Sequence, residues 1–249
     1  MKKRLSVLAV GAMVSGSLYA GMMQDKEPVA PAWQWVGQLS IGAAWSKAGE
    51  TQTFYLNPTI EKSYRASEKS KGMPSGELFI GAQKAISAQV LGQLGLVLAT
   101  TGNARVDGII WDDADPQFND HSYRYKVRNT RLGIKGRALL DKGQKVIPYV
   151  SASANIGFNR AHDYTNNPLI FEAIANENFA GKTKTAFSYT LGGGVQTPLN
   201  SHWHAGIGYE FLDFGKSNLN RSPGQTMGSG LSLSHLYTHG VLVNVTYVA

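Results

Sequence analysis

No cysteine occurs among the 249 residues, so the chain has neither a disulfide framework nor an anchor cysteine for a lipid. Charge is sparse as well: 16% of residues are Asp, Glu, Lys or Arg, against 43% hydrophobic, which fits one domain of ordinary size and unusually low charge density. Nine prolines stand against 28 glycines, a balance that argues for a close-packed all-β body with turn-rich loops rather than for disorder. Long apolar runs are missing everywhere except at the start, so nothing calls for a transmembrane helix. That one run, Leu5 to Tyr19, follows Lys2, Lys3 and Arg4 and precedes the small Ala20. It predicts a secretory signal peptide over 1–20, with a short periplasmic lead-in over 21–32 that Pro28 and Pro31 keep irregular. Without residues 1–20, which hold three of the 24 basic residues and none of the 17 acidic ones, the formal charge falls from +7 to +4. So mild a balance suits anionic head groups and gives no case for nucleic acid.

What the chain does have is alternation at period two. From Trp203 to Phe211, Trp203, Ala205, Ile207, Tyr209 and Phe211 share one face, while His204, Gly206, Gly208 and Glu210 share the other; only a strand separates those sets. The second face cannot line the core of a soluble sandwich, whereas the first suits hydrocarbon. A soluble ligand-binding barrel would carry the opposite polarity. Seven further stretches read the same way: Trp35–Ser46, Gly76–Ile86, Gln89–Thr100, Tyr123–Leu140, Ile147–Phe158, Thr185–Thr197 and Tyr237–Ala249. The expected fold over 33–249 is therefore all-β, an eight-stranded antiparallel up-and-down transmembrane barrel. In the Tyr123–Leu140 stretch, Tyr123, Tyr125 and Val127 share one parity and Leu132, Ile134, Ala138 and Leu140 the other, so a bulge or a membrane-boundary crossing is expected near Asn129 and Thr130. Lys84 breaks an apolar face near a chain reversal, where it could snorkel to head groups.

Connections alternate in length. Those around Ser87 and Ala88, over Asp141–Gln144 and over Pro198–His202 are tight, while Lys47–Ser75, Thr101–Ser122, Asn159–Lys184 and Gly215–Ser234 are long. With an even strand count, the tight ones belong to the periplasm and the long ones to the cell exterior. Trp35, Trp45, Trp203, Tyr209, Phe211, Tyr237 and Tyr247 are placed to form interfacial girdles.

Three motifs carry a likeness: Pro148-Tyr149, Leu191-Gly-Gly-Gly-Val-Gln, and His204 through Gly215 with its Gly208-Tyr209 and Asp213-Phe214-Gly215. Over roughly 33–249 the chain resembles the small eight-stranded outer-membrane barrels of the opacity-protein and OmpA/OmpX type. The resemblance implies a surface protein of the Gram-negative outer membrane, adhesin-like, inserted by the barrel-assembly machinery. Such barrels usually end on an aromatic residue. This chain ends Tyr247-Val248-Ala249, so either recognition by that machinery rests on Tyr247 or the chain is a poorer substrate for it.

An eight-stranded barrel has an interior that side chains just fill. Buried charges there must pair, which makes Glu77 and Glu210 the expected partners of Arg128, Lys135 or Arg137, with His204 on the same face. Arg124, Lys126 and Arg128 begin a strand near the outer rim, at a depth suited to lipopolysaccharide phosphates. Asp112, Asp113, Asp115 and Asp120 cluster in one connection but lack the spacing of a calcium loop, so they read as solvated acids. His121 with Asp120, His162 with Asp163, and His202 with His204 pair imidazoles with acids or with each other, but no acid–histidine–serine set falls on neighbouring strand ends, and a non-enzymatic protein without cofactor or metal is expected. The remaining alternatives are a small porin-like channel and a membrane-embedded lipid A hydrolase. Loop specificity for outer-membrane lipid, lipopolysaccharide or a host surface is expected at Tyr55, Tyr64, Phe118, Tyr164 and Phe171.

Overall fold

The computed structural model describes residues 33–249 apart from 47–48, 68–69, 172 and 174–175; the expected signal peptide and lead-in lie outside these. Twelve strands are present among them: β1 Gln34–Ser46, β2 Gln52–Asn57, β3 Ile60–Ala66, β4 Lys71–Ser87, β5 Val90–Asp112, β6 Asn119–Leu140, β7 Ile147–Pro168, β8 Lys182–Pro198, β9 Trp203–Asp213, β10 Ser217–Asn218, β11 Ser232–Leu233 and β12 Tyr237–Val248. Eight of them close an antiparallel ring in the order β1-β4-β5-β6-β7-β8-β9-β12. The seam is β1 against β12, in unbroken register from Val36↔Val248 to Ser46↔Thr238. Short turns join β4 to β5, β6 to β7 and β8 to β9 at one end, the turn end, which also holds both ends of the ring. The longer connections lie at the other, the cap end.

Around the middle of the ring the alternation seen in the sequence becomes an inside and an outside. Leu39 and Ile41 of β1, Leu94, Leu96 and Leu98 of β5, Ile134 of β6 and Val243 of β12 point out and are exposed, while Gln38, Ser40, Gln93, Lys135 and Asn244 point in and are buried. A wall that is apolar outside and polar inside matches hydrocarbon outside and defines a transmembrane barrel. The seven girdle aromatics all face outward: Trp35, Trp203 and Tyr247 near the turn end, Trp45, Tyr209, Phe211 and Tyr237 toward the cap end. Trp203 and Tyr247 meet edge to face at 5.0 Å, and Phe211 stacks on Tyr237 at 5.7 Å. Lys84 lies at the turn end with its ammonium 5.3 Å from the Trp33 ring.

The cap end departs from expectation. Most of Thr101–Ser122 is strand, because β5 and β6 remain paired as far as Trp111↔Asn119, and the first long connection contains the β2–β3 hairpin. There β5 changes partners: Ser75 to Ser87 of β4 accompany its first half, and β3 pairs Lys62↔Asp112 through Ala66↔Gly108 with its second. The irregularity near Asn129 is a bulge on β5 rather than β6. The register slips by one residue between Thr100↔Thr130 and Asn103↔Arg128, and the Asn129 amide donates to Thr101 Oγ1 at 3.4 Å. β6 itself keeps one parity throughout, with odd-numbered residues inward. What changes at that level is polarity: above it the inward side is apolar and the outward side basic. Tyr64, Tyr123, Tyr125, Tyr164, Phe179 and Phe214, with leucines from 219–236, fill the cap end with an aromatic core. Tyr64 and Tyr164 are thus buried and unavailable as surface contacts, whereas Tyr55, Phe118 and Phe171 are exposed.

The outward belt is open to a direct test. Leu96 points out at mid-height, 62% exposed, so Leu96→Arg should cost about 2–4 kcal/mol in urea unfolding of the vesicle-embedded protein. Arg105→Leu, above the belt, should stay within about 0.5 kcal/mol.

Candidate functional site

Chemistry-bearing side chains gather in three places: the lumen, the outer face above the belt, and the rim of the cap end.

The lumen is filled layer by layer. At the turn end Val36, Phe79 and Val248 form an apolar floor. Above it Arg137 donates to Gln38 Oε1, to Gln93 Oε1 at 2.9 Å and to Gln196 Oε1 at 3.2 Å, with its guanidinium 4.2 Å from the Tyr149 ring centre. Tyr149 fits there because Gly194 and Gly208 face each other across β8 and β9; a Cβ on either would lie within 2.8 Å of the Tyr149 hydroxyl. The next layer is ionic. Lys135 donates to Glu77 Oε1 at 2.5 Å and to Glu210 Oε2 at 3.0 Å, and Arg131 donates to Glu210 Oε1 at 3.0 Å with Glu77 Oε2 3.8 Å away. Amides follow: Asn129 donates to Asn159 at 2.7 Å, and Asn159 to the carbonyls of Phe214 and Lys216 at 2.7 and 2.9 Å, tying the last connection to the wall. The aromatic cap closes the top.

Two voids left among these layers measure about 20 and about 10 Å³, the larger with room for a water molecule and no more. Of the lumen residues expected from sequence, Glu77, Lys135, Arg137 and Glu210 lie inside. His204 also faces inward, near the turn end, with Nδ1 buried and unpartnered. Arg128 does not: its even position on β6 turns it outward, and Arg131, 1% exposed, takes the place beside Glu210. Arg131, next to the apparent parity break at Asn129 and Thr130, was not among the expected lumen residues; a single parity drawn through the whole of 121–139 would have found it.

On the outer face, β5, β6 and β7 carry a basic patch directly above the belt. Arg128 sits across from Arg160, and Arg105 across from Lys126. Like charges in direct cross-strand register repel. Lys126 is balanced by Asp163 at 3.0 Å and Arg124 by Asp107 at 2.6 Å. Burial raises the Asp107 carboxyl, but hydrogen bonds from Lys71 and Arg124 outweigh it and hold the group below the usual carboxylate range. Arg105, Arg128 and Arg160 have no carboxylate partner among the described residues.

The rim of the cap end is acidic. Asp112 leaves the expected acid cluster to pair with the buried Lys62 at 2.7 Å, and Asp115 accepts from the Gln117 amide at 2.9 Å to shape the turn. No group of three or more His, Asp or Glu suited to a metal occurs among the described residues. The histidines are dispersed: His162 contacts Asp163 and Asn103, His202 contacts Ser201, and both ring nitrogens of His121 are buried without partners. None of these joins a hydroxyl nucleophile and a carboxylate at once.

The fold and its filling define a small, closed transmembrane β-barrel. The sequence matches no protein-family model and no curated protein. Among solved structures the chain is similar to Neisserial surface protein A (12% identity over 86% of this chain and 96% of that one, TM-score 0.44), to Ail, the attachment invasion locus protein of Yersinia pestis (11%, 86% and 98%, TM-score 0.31), and to the outer membrane protein OprG of Pseudomonas aeruginosa (9%, 86% and 95%, TM-score 0.40). These likenesses concern the course of the chain around a small barrel.

Lys135→Met leaves two buried carboxylates to share Arg131 alone and should cost about 3–5 kcal/mol; replacing Glu77 by Gln in the same protein, which leaves Arg131 paired with Glu210, should recover much of that in a urea titration. Planar bilayers holding the wild-type protein should show no stepwise conductance, because these voids are far narrower than an ion with its hydration shell.

Proposed function

We propose that this is a non-enzymatic surface barrel of the outer membrane that anchors itself among anionic glycolipids through the outward arginines of β5–β7, with its cap end exposed to the exterior. The carrying observation is the uncompensated charge of Arg105, Arg128 and Arg160. Arg160 stands one outward position above the lipid-facing Phe158, Arg128 two above Leu132 and Arg105 three above Leu98, and each faces another cation directly across a strand pair. A doubly charged phosphate between such residues turns repulsion into charge-assisted hydrogen bonding, and the arginine fork suits two phosphate oxygens at once. Lipopolysaccharide carries phosphate at that depth of the outer leaflet.

The plugged lumen supports anchoring rather than conduction. The aromatic cap supports a rigid exterior, since its rings hold the connections against the wall: Tyr164 meets Phe179 edge to face at 4.9 Å and Phe54 stacks on Tyr64 at 5.3 Å. Such a scaffold suits recognition by its rim rather than by long swinging loops.

Reversing the three arginines together (R105E, R128E, R160E) should lower lipopolysaccharide co-purification and vesicle binding at least ten-fold, and raising salt should weaken the wild-type protein in the same direction. Equal lipopolysaccharide binding by wild type and triple variant would overturn the reading.

A further inference from the structure

A cavity of about 360 Å³ lies at the cap end, walled by the β2–β3 hairpin, the tip of β5, Asn176 and Glu177 of the connection after β7, and 222–225 of the connection after β9. Its walls are braced. The Thr226 and Met227 amides both donate to the Leu56 carbonyl, and Gln225 accepts from the Ser222 amide while donating to the carbonyls of Met227 and Ser229. The floor is the buried Tyr64, with Leu56, Ile60 and Pro223 as apolar sides.

Two sets of polar groups in this lining have bonding capacity left over. Glu61, Asp113 and Glu177 stand at the rim, and none has a cationic partner among the described residues. Deeper, Lys62 has a side chain only 8% exposed. It spends two of its three ammonium hydrogens, on Asp112 Oδ1 at 2.7 Å and Asn176 Oδ1 at 2.6 Å. The Asn176 oxygen is thereby fixed, which leaves Asn176 Nδ2 buried with no acceptor. An orphaned buried donor costs about 1–3 kcal/mol and calls for an explanation.

A ligand that answers both sets must bring a cation for the carboxylates and neutral oxygens for Lys62 and Asn176. A metal ion supplies only the first, and a simple alkylamine lacks the second. We infer that the cap cavity is a binding site for an amino sugar, its ammonium among Glu61, Asp113 and Glu177, its hydroxyl oxygens accepting from Lys62 Nζ and Asn176 Nδ2, and one ring face against Leu56, Ile60 and Pro223. The inference goes beyond the anchoring reading and rests on it only for which side of the membrane the cavity faces; the arginine variants and the cavity variants test the two separately.

Titration calorimetry on the full-length protein in detergent would use glucosamine as the probe, with glucose, N-acetylglucosamine and cyclohexylamine at matched concentrations. Glucosamine should bind saturably, and each comparison compound at least ten-fold more weakly, since each lacks either the charge or the hydroxyls. Removing the rim charge (E61Q, D113N, E177Q) should weaken glucosamine at least ten-fold, and Asn176→Ala about three-fold or more, with circular dichroism verifying that both variants keep the barrel. Equal binding of all four compounds, absence of saturable glucosamine binding, or full affinity in the rim-neutral variant would each overturn the assignment.

Discussion

A peptide group surrounded by hydrocarbon has no water to bond, so every N–H and C=O in the spanning wall must find another strand. That constraint makes the ring close, and closure sets the rest. Once β12 returns to β1 in eleven consecutive pairs, each strand has one side in lipid and one in a lumen too narrow for water to fill. Alternate residues along the same few ångströms of chain therefore live in opposite solvents. The sequence meets this with leucine, isoleucine and aromatics at one parity and with glycine, serine, glutamine and charge at the other. Glycine makes room where a long side chain must lie across the lumen, as at Gly194 and Gly208 beneath Tyr149.

The lumen must then satisfy its own polar groups. Two carboxylates and three cations share it, and the order in which they meet is informative. Lys135 bridges Glu77 and Glu210, Arg131 closes the same knot from the cap side, and Arg137 lies one layer down among amide oxygens and a tyrosine ring. A buried cation without a carboxylate is costly unless its hydrogens are taken up, and here three glutamines, on β1, β5 and β8, take them. The knot joins β4, β6 and β9, so ionic bonds cross the lumen where no backbone bond can. This ties opposite walls together and fixes their relative height.

Much of this was legible in the sequence, for a physical reason. Within the belt, lipid and lumen impose opposite demands at period two, so alternation alone yields strand number, facing and girdles, as at Trp203–Phe211. Above the belt the outer solvent is water and the interior is an aromatic core, so the demands exchange sides. Tyr123, Tyr125 and Val127 then look out of phase with Leu132 and Ile134 although β6 never changes phase. The same exchange sent Arg128 to the wrong side, left Arg131 unnoticed, and made Tyr64 and Tyr164 look like surface aromatics when they are core. The true bulge, at Thr101 and Gly102 of β5, had no mark in the alternation because the run of leucines had already ended. Long-range pairings were hidden too: nothing local ties Lys62 to Asp112, or β3 to the far half of β5.

Charge is layered along the barrel axis, and the layers act independently. Arg128 and Asn119 are nine positions apart on β6, about 30 Å along the strand at ~3.4 Å per residue, and Asn119 lies at the level of Trp111 beside the acidic rim. Even with the strand tilted, the separation exceeds the roughly 8 Å over which salt screens charges at physiological ionic strength. The basic belt therefore neither neutralises the rim acids nor is neutralised by them. A chain of mild net charge can in this way carry a cationic collar above its lipid-facing belt and an anionic rim at its cap, with an apolar, aromatic core between them. The tyrosines of that core keep their protons, because burial pushes the hydroxyls of Tyr64, Tyr123, Tyr125 and Tyr164 above the ordinary phenol range. The insulating layer thus stays neutral.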